Sequence, residues 1–323
     1  MLSLIIIRSH SLPANLTAHS CGLTTLTQAQ LHVWVEQART YSQGGKLPDY
    51  IPLLALTDPT WLAVQIQTVA GQIYAAGDLS VTFGLMSVIK PFVLLFLLQQ
   101  LGTEVVFSRV GMSPSDEPFN SLKQLEIDRG FPRNPMINSG AIAMSSLLPG
   151  ADAPSRCESL RQWLNQAAKC QLFLDEQMLD SVRSLPNERN KAITKLLAQS
   201  GYLELEEITL DTYNHVCCLS GTIADLAQLG MLLVQGNNTI SLKHRRIVNA
   251  LMTTCGLYQA SAQFALDVGL PTKSGVSGAI LSIVPSQGAI ACYSPALDEA
   301  GNSKASLFLL QQLAKDLNLS IFG

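Results

Sequence analysis

In GLMSVIKPFVLLFLLQQLG, residues 84 to 102, apolar helix formers run almost without a break, with one serine and one lysine set three apart near the start. The stretch from Val88 to Leu98 is shorter than the roughly 20 residues that a bilayer-spanning helix needs, and Gln99 and Gln100 stop it. It therefore predicts a buried core helix. Upstream, TQAQLHVWVEQARTYSQGG has helical spacing and closes on Gly44-Gly45. WLAVQIQTVAGQIYAAGD then alternates apolar and polar positions around Ala70-Gly71, the pattern of a β-hairpin. From about 103 to 250 the pattern is mostly helical and predicts helices over 139–147, 158–169, 175–183, 188–200 and 222–235. The segment TKSGVSGAILSIVPSQGAIACYSPALDEAGN returns to strand and turn character, and SKASLFLLQQLAKDLN ends the chain as a helix.

Strands at both ends with helices between them predict an α+β fold: an antiparallel sheet flanked by helices, interrupted by an inserted all-helical region. The expected division is a disordered leader over 1–25, a sheet lobe from 26–102 and 250–323, and a helical lobe over 103–249. With 323 residues, 47% of them hydrophobic, the chain can bury a large core. Charge removes one class of partner. The net charge is −3, only 14% of residues are charged and the main basic cluster is Lys243 to Arg246, so nucleic acid is not expected. The seven cysteines are odd in number and contain no C-x-x-C, which points to reduced thiols in a cytoplasmic protein. Five histidines, His10 and His19 among them, form no ligand set, so no metal is expected. The opening MLSLIIIRSH is too short for a secretion signal and lacks a preceding charge, and no membrane association is expected.

Ser87 and Lys90 carry the first candidate chemistry, because i, i+3 spacing on a helix lets the amine reach the hydroxyl. The alternative is a helix start in which Ser87 caps and Lys90 snorkels to solvent, but apolar neighbours leave little room for snorkelling. A desolvated lysine gives up its proton readily, and a serine nucleophile needs a neutral amine beside it. Lys273-Ser274-Gly275, leading into an apolar strand, supplies a second element. S-x-x-K followed by a later K-T-G is the order used by serine acyl-transferring penicillin-binding proteins and β-lactamases, and K-S-G is a conservative variant. RNPMINSGAIAM (133–144) brings Asn138 to an apolar helix start, either as an N-cap or as an amide available to a polar substrate. GVSGA at 275–279 departs from G-x-S-x-G at its last position, His215 reads as structural, and Cys217 and Cys218 read as small core residues. No Walker or Rossmann glycine pattern occurs, and no cofactor is expected.

The pieces GKLPDYIPLLA, FGLMSVIK, EPFNSL, PRNPMINSGAIAM, RNKAI, TIADLAQLG, LMTTCGLYQASAQFALDVGLPTKSGVSGAI and YSPALDEAGNS run in order from about 45 to 305. Together they resemble the serine-dependent glutaminases, a family with a β-lactamase-like fold that hydrolyses L-glutamine to L-glutamate and ammonia. The resemblance implies that Ser87 is the nucleophile, forming a glutamyl-enzyme, and that Lys90 is its base. It implies active-site roles for Tyr50 and Tyr258, the latter relaying a proton to the departing ammonia. Asn138, Asn190 and Tyr213 match substrate-holding residues, and the N–H groups of Val276 and Ser87 match an oxyanion hole. A homodimer or homotetramer is implied as well.

The departures from that pattern are specific. Ile89 stands where the family commonly carries a second serine, and Val216 and Cys218 replace the glutamine and serine of Y-x-x-Q-C-S. The glutamate that meets the substrate's ammonium falls at Arg183, which would repel it, while Glu188 is the acid nearby. Three readings follow: a glutaminase with Glu188 or another acid on the ammonium; a serine amidohydrolase of shifted specificity, with Arg183 on a substrate carboxylate; and a catalytically impaired homologue retained as an assembly or regulatory protein.

Overall fold

A computed structural model describes residues 22–184, 186–235 and 240–323. The expected leader falls mostly outside the described residues, including His10, His19 and Cys21. Its last residues belong to the fold, however. Leu23 is 1% exposed, and the Gly22 N–H donates to the Leu317 carbonyl at 2.8 Å, so the hydrophobic effect anchors a segment that polarity alone marks as leader.

Strands β1 (Ala63–Thr68) and β2 (Ile73–Gly77) form the predicted hairpin. Its turn holds Gly71 at φ 83°, a conformation open to a residue without Cβ. Strand β3 (Phe83–Gly84) pairs with β5 (Leu219–Gly221), which also pairs with β4 (Phe173–Leu174), giving a small second sheet. Strands β6 (Thr272–Ser274), β7 (Ala279–Val284) and β8 (Gly288–Tyr293) join the hairpin in an antiparallel sheet of order β2-β1-β8-β7-β6. Both ends of the sequence thus build one sheet.

Strands β7 and β8 are buried along their whole length, which explains their unbroken apolar character. Leu281 and Ile283 face a core shared with the central helix Lys90–Phe107 and the helix Ile223–Val234. Ile280 and Val284 face the opposite core, formed with the helices Gln28–Arg39 and Lys304–Leu317. The two short strands Phe173–Leu174 and Leu219–Gly221 lie inside the region expected to be all-helical. Segments of two and three residues are too short to show an alternating pattern; Leu219–Gly221 is defined by pairing with distant Phe83–Gly84, and Phe173–Leu174 by pairing with Leu219–Gly221.

The central helix runs past Gln99 and Gln100, which the sequence marks as its stop, and breaks at Gly102 (φ 79°, ψ 171°). With the turn before it, Met86–Phe107 is long and apolar enough to cross a membrane by length and composition. In this fold 72% of an 18-residue apolar stretch within it is buried inside the protein. Phe92, Leu94, Leu95, Leu97 and Leu98 are fully buried, each contributing about 2 kcal/mol of apolar burial. Polar caps set the other helix starts. Asp152 and Ser155 form a capping box that begins a helix at Ala153, ahead of the predicted 158, while Asp175, Asn187 and Thr222 cap the helices that follow them.

Candidate active site

Ser87 lies in a single 3₁₀ turn, Met86–Ile89, that feeds directly into the central helix. Met86 takes a left-handed backbone (φ 46°), which costs a non-glycine residue energy and turns the chain sharply before the serine. The turn is pinned to the small sheet by the Leu85 N–H, which donates to the Leu219 carbonyl at 2.8 Å. Ser87 makes no capping hydrogen bond; its residue lines a cavity instead.

Lys90 does not snorkel: it is 1% exposed. Its Nζ donates to Asn138 Oδ1 at 2.9 Å and to the Met136 carbonyl at 3.3 Å. Burial lowers its pKa to about 8, with Cys217 acting weakly in the opposite direction. Two acceptors account for both N–H bonds of a neutral amine, so its lone pair stays free for a proton.

Asn138 is the first residue of the helix Asn138–Ser145 rather than its cap, which is Ile137. Its side chain is a hub. Oδ1 accepts from Lys90 and from the Tyr213 hydroxyl at 3.1 Å, and Nδ2 donates to Asn190 Oδ1 at 3.0 Å. Asn134, fully buried, holds the approach to this helix by accepting from the Met136 and Ile137 N–H groups at 2.9 and 3.2 Å.

A second buried layer comes from the β6 edge. Lys273 is fully buried, donates to the Gly256 and Ser274 carbonyls at 2.9 and 2.6 Å, and sits 4.4 Å from the Tyr258 ring centroid. Burial, then repulsion from Lys90, pushes its pKa well down. The Ser274 hydroxyl donates to Asn302 Oδ1 at 2.5 Å. The Tyr258 hydroxyl is buried without a hydrogen bond of normal geometry, yet Ser87 and Ser274 are close enough to favour its ionised form. Burial outweighs them and raises its pKa to about 12. Gly275 comes so close to the nucleophile turn that a Cβ there would lie 2.8 Å from the Leu85 carbonyl oxygen and 3.3 Å from the Ser87 nitrogen. Among the described residues, neither the Ser87 N–H nor the Val276 N–H has a backbone partner.

These elements enclose a cavity of about 560 Å³. Of the residues singled out from the sequence, Ser87, Tyr50, Asn138, Asn190, Tyr213, Val276 and Glu188 line it. Lys90 and Tyr258 are buried behind its wall rather than on it. Tyr50 is 51% exposed as a residue, but its hydroxyl end is enclosed, and that burial, with Tyr258 and Asp49 nearby, raises its pKa. Glu188 lies at the rim, with Oε1 3.1 Å from Lys191 Nζ. Arg183 is not part of the wall. Its guanidinium forms a bidentate pair with Asp211 at 2.6 and 2.7 Å in half-exposed surroundings, which removes it as a cation for a substrate carboxylate.

The same cavity has members that sequence reasoning passed over or assigned elsewhere. Phe119, Asn120, Asn187, Arg189 and Asn214 line it; Phe119 and Asn120 fall in EPFNSL and Arg189 in RNKAI, pieces that carry the resemblance but assign these three residues no role. Cys217, read as a core residue, is 7% exposed and also lines it, its thiol pKa raised by burial. His215 fits its structural assignment: it is 4% exposed and bonds the Asp211 carbonyl through Nδ1 at 2.8 Å.

An antiparallel sheet covered by helices, with this cavity beside it, is the arrangement of the β-lactamase-like fold. The sequence model of the Glutaminase family matches residues 45–322, and the chain belongs to that family. A glutaminase of Synechocystis sp. is 46% identical over 312 residues, covering 96% of this chain and 95% of the relative. Glutaminase 2 of Escherichia coli K12 is 37% identical over 300 residues, covering 89% and 96%. Among solved structures, the probable glutaminase ybaS superposes with a TM-score of 0.85 at 35% identity, over 92% of this chain and 99% of that one. The probable glutaminase of Bacillus subtilis complexed with 6-diazo-5-oxo-L-norleucine gives 0.83 at 32% identity, over 91% and 97%.

Proposed function

We propose that this glutaminase hydrolyses L-glutamine to L-glutamate and ammonia with Ser87 as nucleophile and Lys90 as base. The observation that carries these assignments is the buried Lys90 amine, whose two N–H bonds are taken up by Asn138 and Met136 while its pKa is drawn down to about 8. A neutral amine so held accepts the Ser87 proton as Oγ attacks the side-chain amide carbon. The N–H groups of Ser87 and Val276 receive the oxyanion, a contribution of about 3 kcal/mol per donor where such donors are preorganised. Tyr258, kept protonated by a pKa near 12, gives its proton to the departing nitrogen. The proton held by Lys90 passes to the Tyr258 phenolate, which resets the amine as base; it then takes a proton from the water that cleaves the glutamyl ester, and returns that proton to Ser87 Oγ as the ester bond breaks. Asn138, Asn190 and Tyr213 hold the substrate, Glu188 meets its ammonium and Tyr50 closes the mouth.

A related protein offers chemical support. One Bacillus subtilis glutaminase structure is a covalent complex with 5-oxo-L-norleucine, formed by reaction with 6-diazo-5-oxo-L-norleucine, a glutamine-shaped electrophile. The test here is ammonia release from L-glutamine together with mass spectrometry after exposure to that reagent. Wild type releases ammonia and carries the adduct on Ser87. Ser87→Ala does neither, with a loss of about 10⁴-fold or more in kcat. Turnover by Ser87→Ala near the wild-type rate would sink the assignment.

The remaining calls belong to the same proposal. The six described cysteines are all unpaired and buried, which suits a reducing cytoplasm. Two lobes, one around the large sheet and one around the helices between its halves, flank the cavity. A homodimer or homotetramer is the expected assembly, and light scattering that gave a monomer mass would refute it.

A further inference from the structure

Among the described residues of the cavity wall, two are charged, Glu188 and Arg189, and a free amino acid brings one ammonium and one carboxylate. We propose that Arg189 reads the α-carboxylate of the substrate, an inference that rests on glutamine being that substrate. Arg189 occupies the first turn of the helix Glu188–Gln199, directly before Asn190, whose side chain closes on Asn138 at 3.0 Å. Arg189 therefore shares the cavity wall with Ser87, and its neighbour Asn190 connects through Asn138 to Lys90. Its Nη1 donates to Asn120 Oδ1 at 3.3 Å, across to another wall residue, and among the described residues it pairs with no carboxylate.

That pairing state separates the two candidate cations. Arg183 has both carboxylate oxygens of Asp211, whereas Arg189, a wall residue, has one neutral acceptor, Asn120 Oδ1, and among the described residues no carboxylate. A guanidinium fork matches a carboxylate in bidentate fashion, which a lysine or an amide does not reproduce. Stability gives no reason for arginine here, because the helix macrodipole opposes a cation in the first turn. Glu188, its neighbour, has one carboxylate oxygen on Lys191 and is the complementary acid for the ammonium.

Calorimetric titration tests this with L-glutamate and with 4-aminobutanoate, the same molecule without its α-carboxylate. Arg189→Gln is expected to weaken L-glutamate binding about 10- to 100-fold and 4-aminobutanoate binding by less than about threefold. The kcat/KM for glutamine falls by the same larger factor, through KM rather than kcat. Arg189→Lys recovers part of the glutamate affinity, because the charge is kept and the fork is lost. Equal losses for both ligands would overturn the inference and make Arg189 a support for Asn120; no loss for L-glutamate would overturn it outright. If wild type binds L-glutamate through Arg189 yet releases no ammonia from glutamine, the proposed reaction fails and the carboxylate site stands.

Discussion

At the scale of single residues, the cost of burying Lys90 and its use as a base are the same fact. Its folded-state pKa lies near 8, against 10.5 for an ordinary lysine. Between those two values the unfolded chain holds a proton that the folded chain has released, so stability rises with pH across that window. Below about pH 8 the burial penalty stands in full. Lys90→Met, inactive for want of the amine, is therefore expected to be more stable than wild type at pH 7 by about 1 to 2 kcal/mol, after allowing for two lost hydrogen bonds. The advantage shrinks as pH approaches 10.5, and melting curves at both ends of the window check it. Activity follows the same titration: kcat/KM should climb with pH up to about 8 as the amine loses its proton. A profile flat from pH 6 to 9 would contradict this.

The element that matters most is the start of the helix Asn138–Ser145, because it carries the hub of the site. Gly140 packs so tightly that a Cβ would fall 2.0 Å from the Asn134 carbonyl oxygen and 3.0 Å from Pro135 Cα, both backbone atoms that cannot swing aside. Gly140→Ala must push the helix away from the Asn134-Pro135 turn and carry Asn138 with it. The expected result is a loss of about 1 to 3 kcal/mol in denaturant unfolding, together with a drop in kcat as Lys90 loses its acceptor. The glycine-containing signal at 139–140 was legible in the sequence only as a helix of small residues. The clash that requires it depends on a turn that folds back beneath the helix.

For the molecule as a whole, the informative result is where Arg183 points. Tied to Asp211 in half-exposed surroundings, it contributes at most about 1 kcal/mol and leaves the cavity to other groups. Arg183→Ala should leave the KM for glutamine within about twofold of wild type, measured by ammonia release. A large rise in KM would return Arg183 to the substrate and revive specificity through that residue.

What the sequence determined by itself was local. The i, i+3 pair Ser87 and Lys90, the apolar run that desolvates the lysine, the hairpin around Gly71 and most helix starts are set within a few residues of chain, so pattern and capping chemistry expose them. Tyr50, Asn190, Tyr213 and Tyr258 were legible only through family resemblance, because no local pattern brings them together. Asn138 reaches Lys90, Tyr213 and Asn190 across 48, 75 and 52 residues of sequence. The tertiary structure alone decided that Arg183 turns outward to Asp211 while Arg189 turns to the cavity. Both are arginines on neighbouring polar helices, and an arginine's partner is chosen by which carboxylate the fold brings within reach.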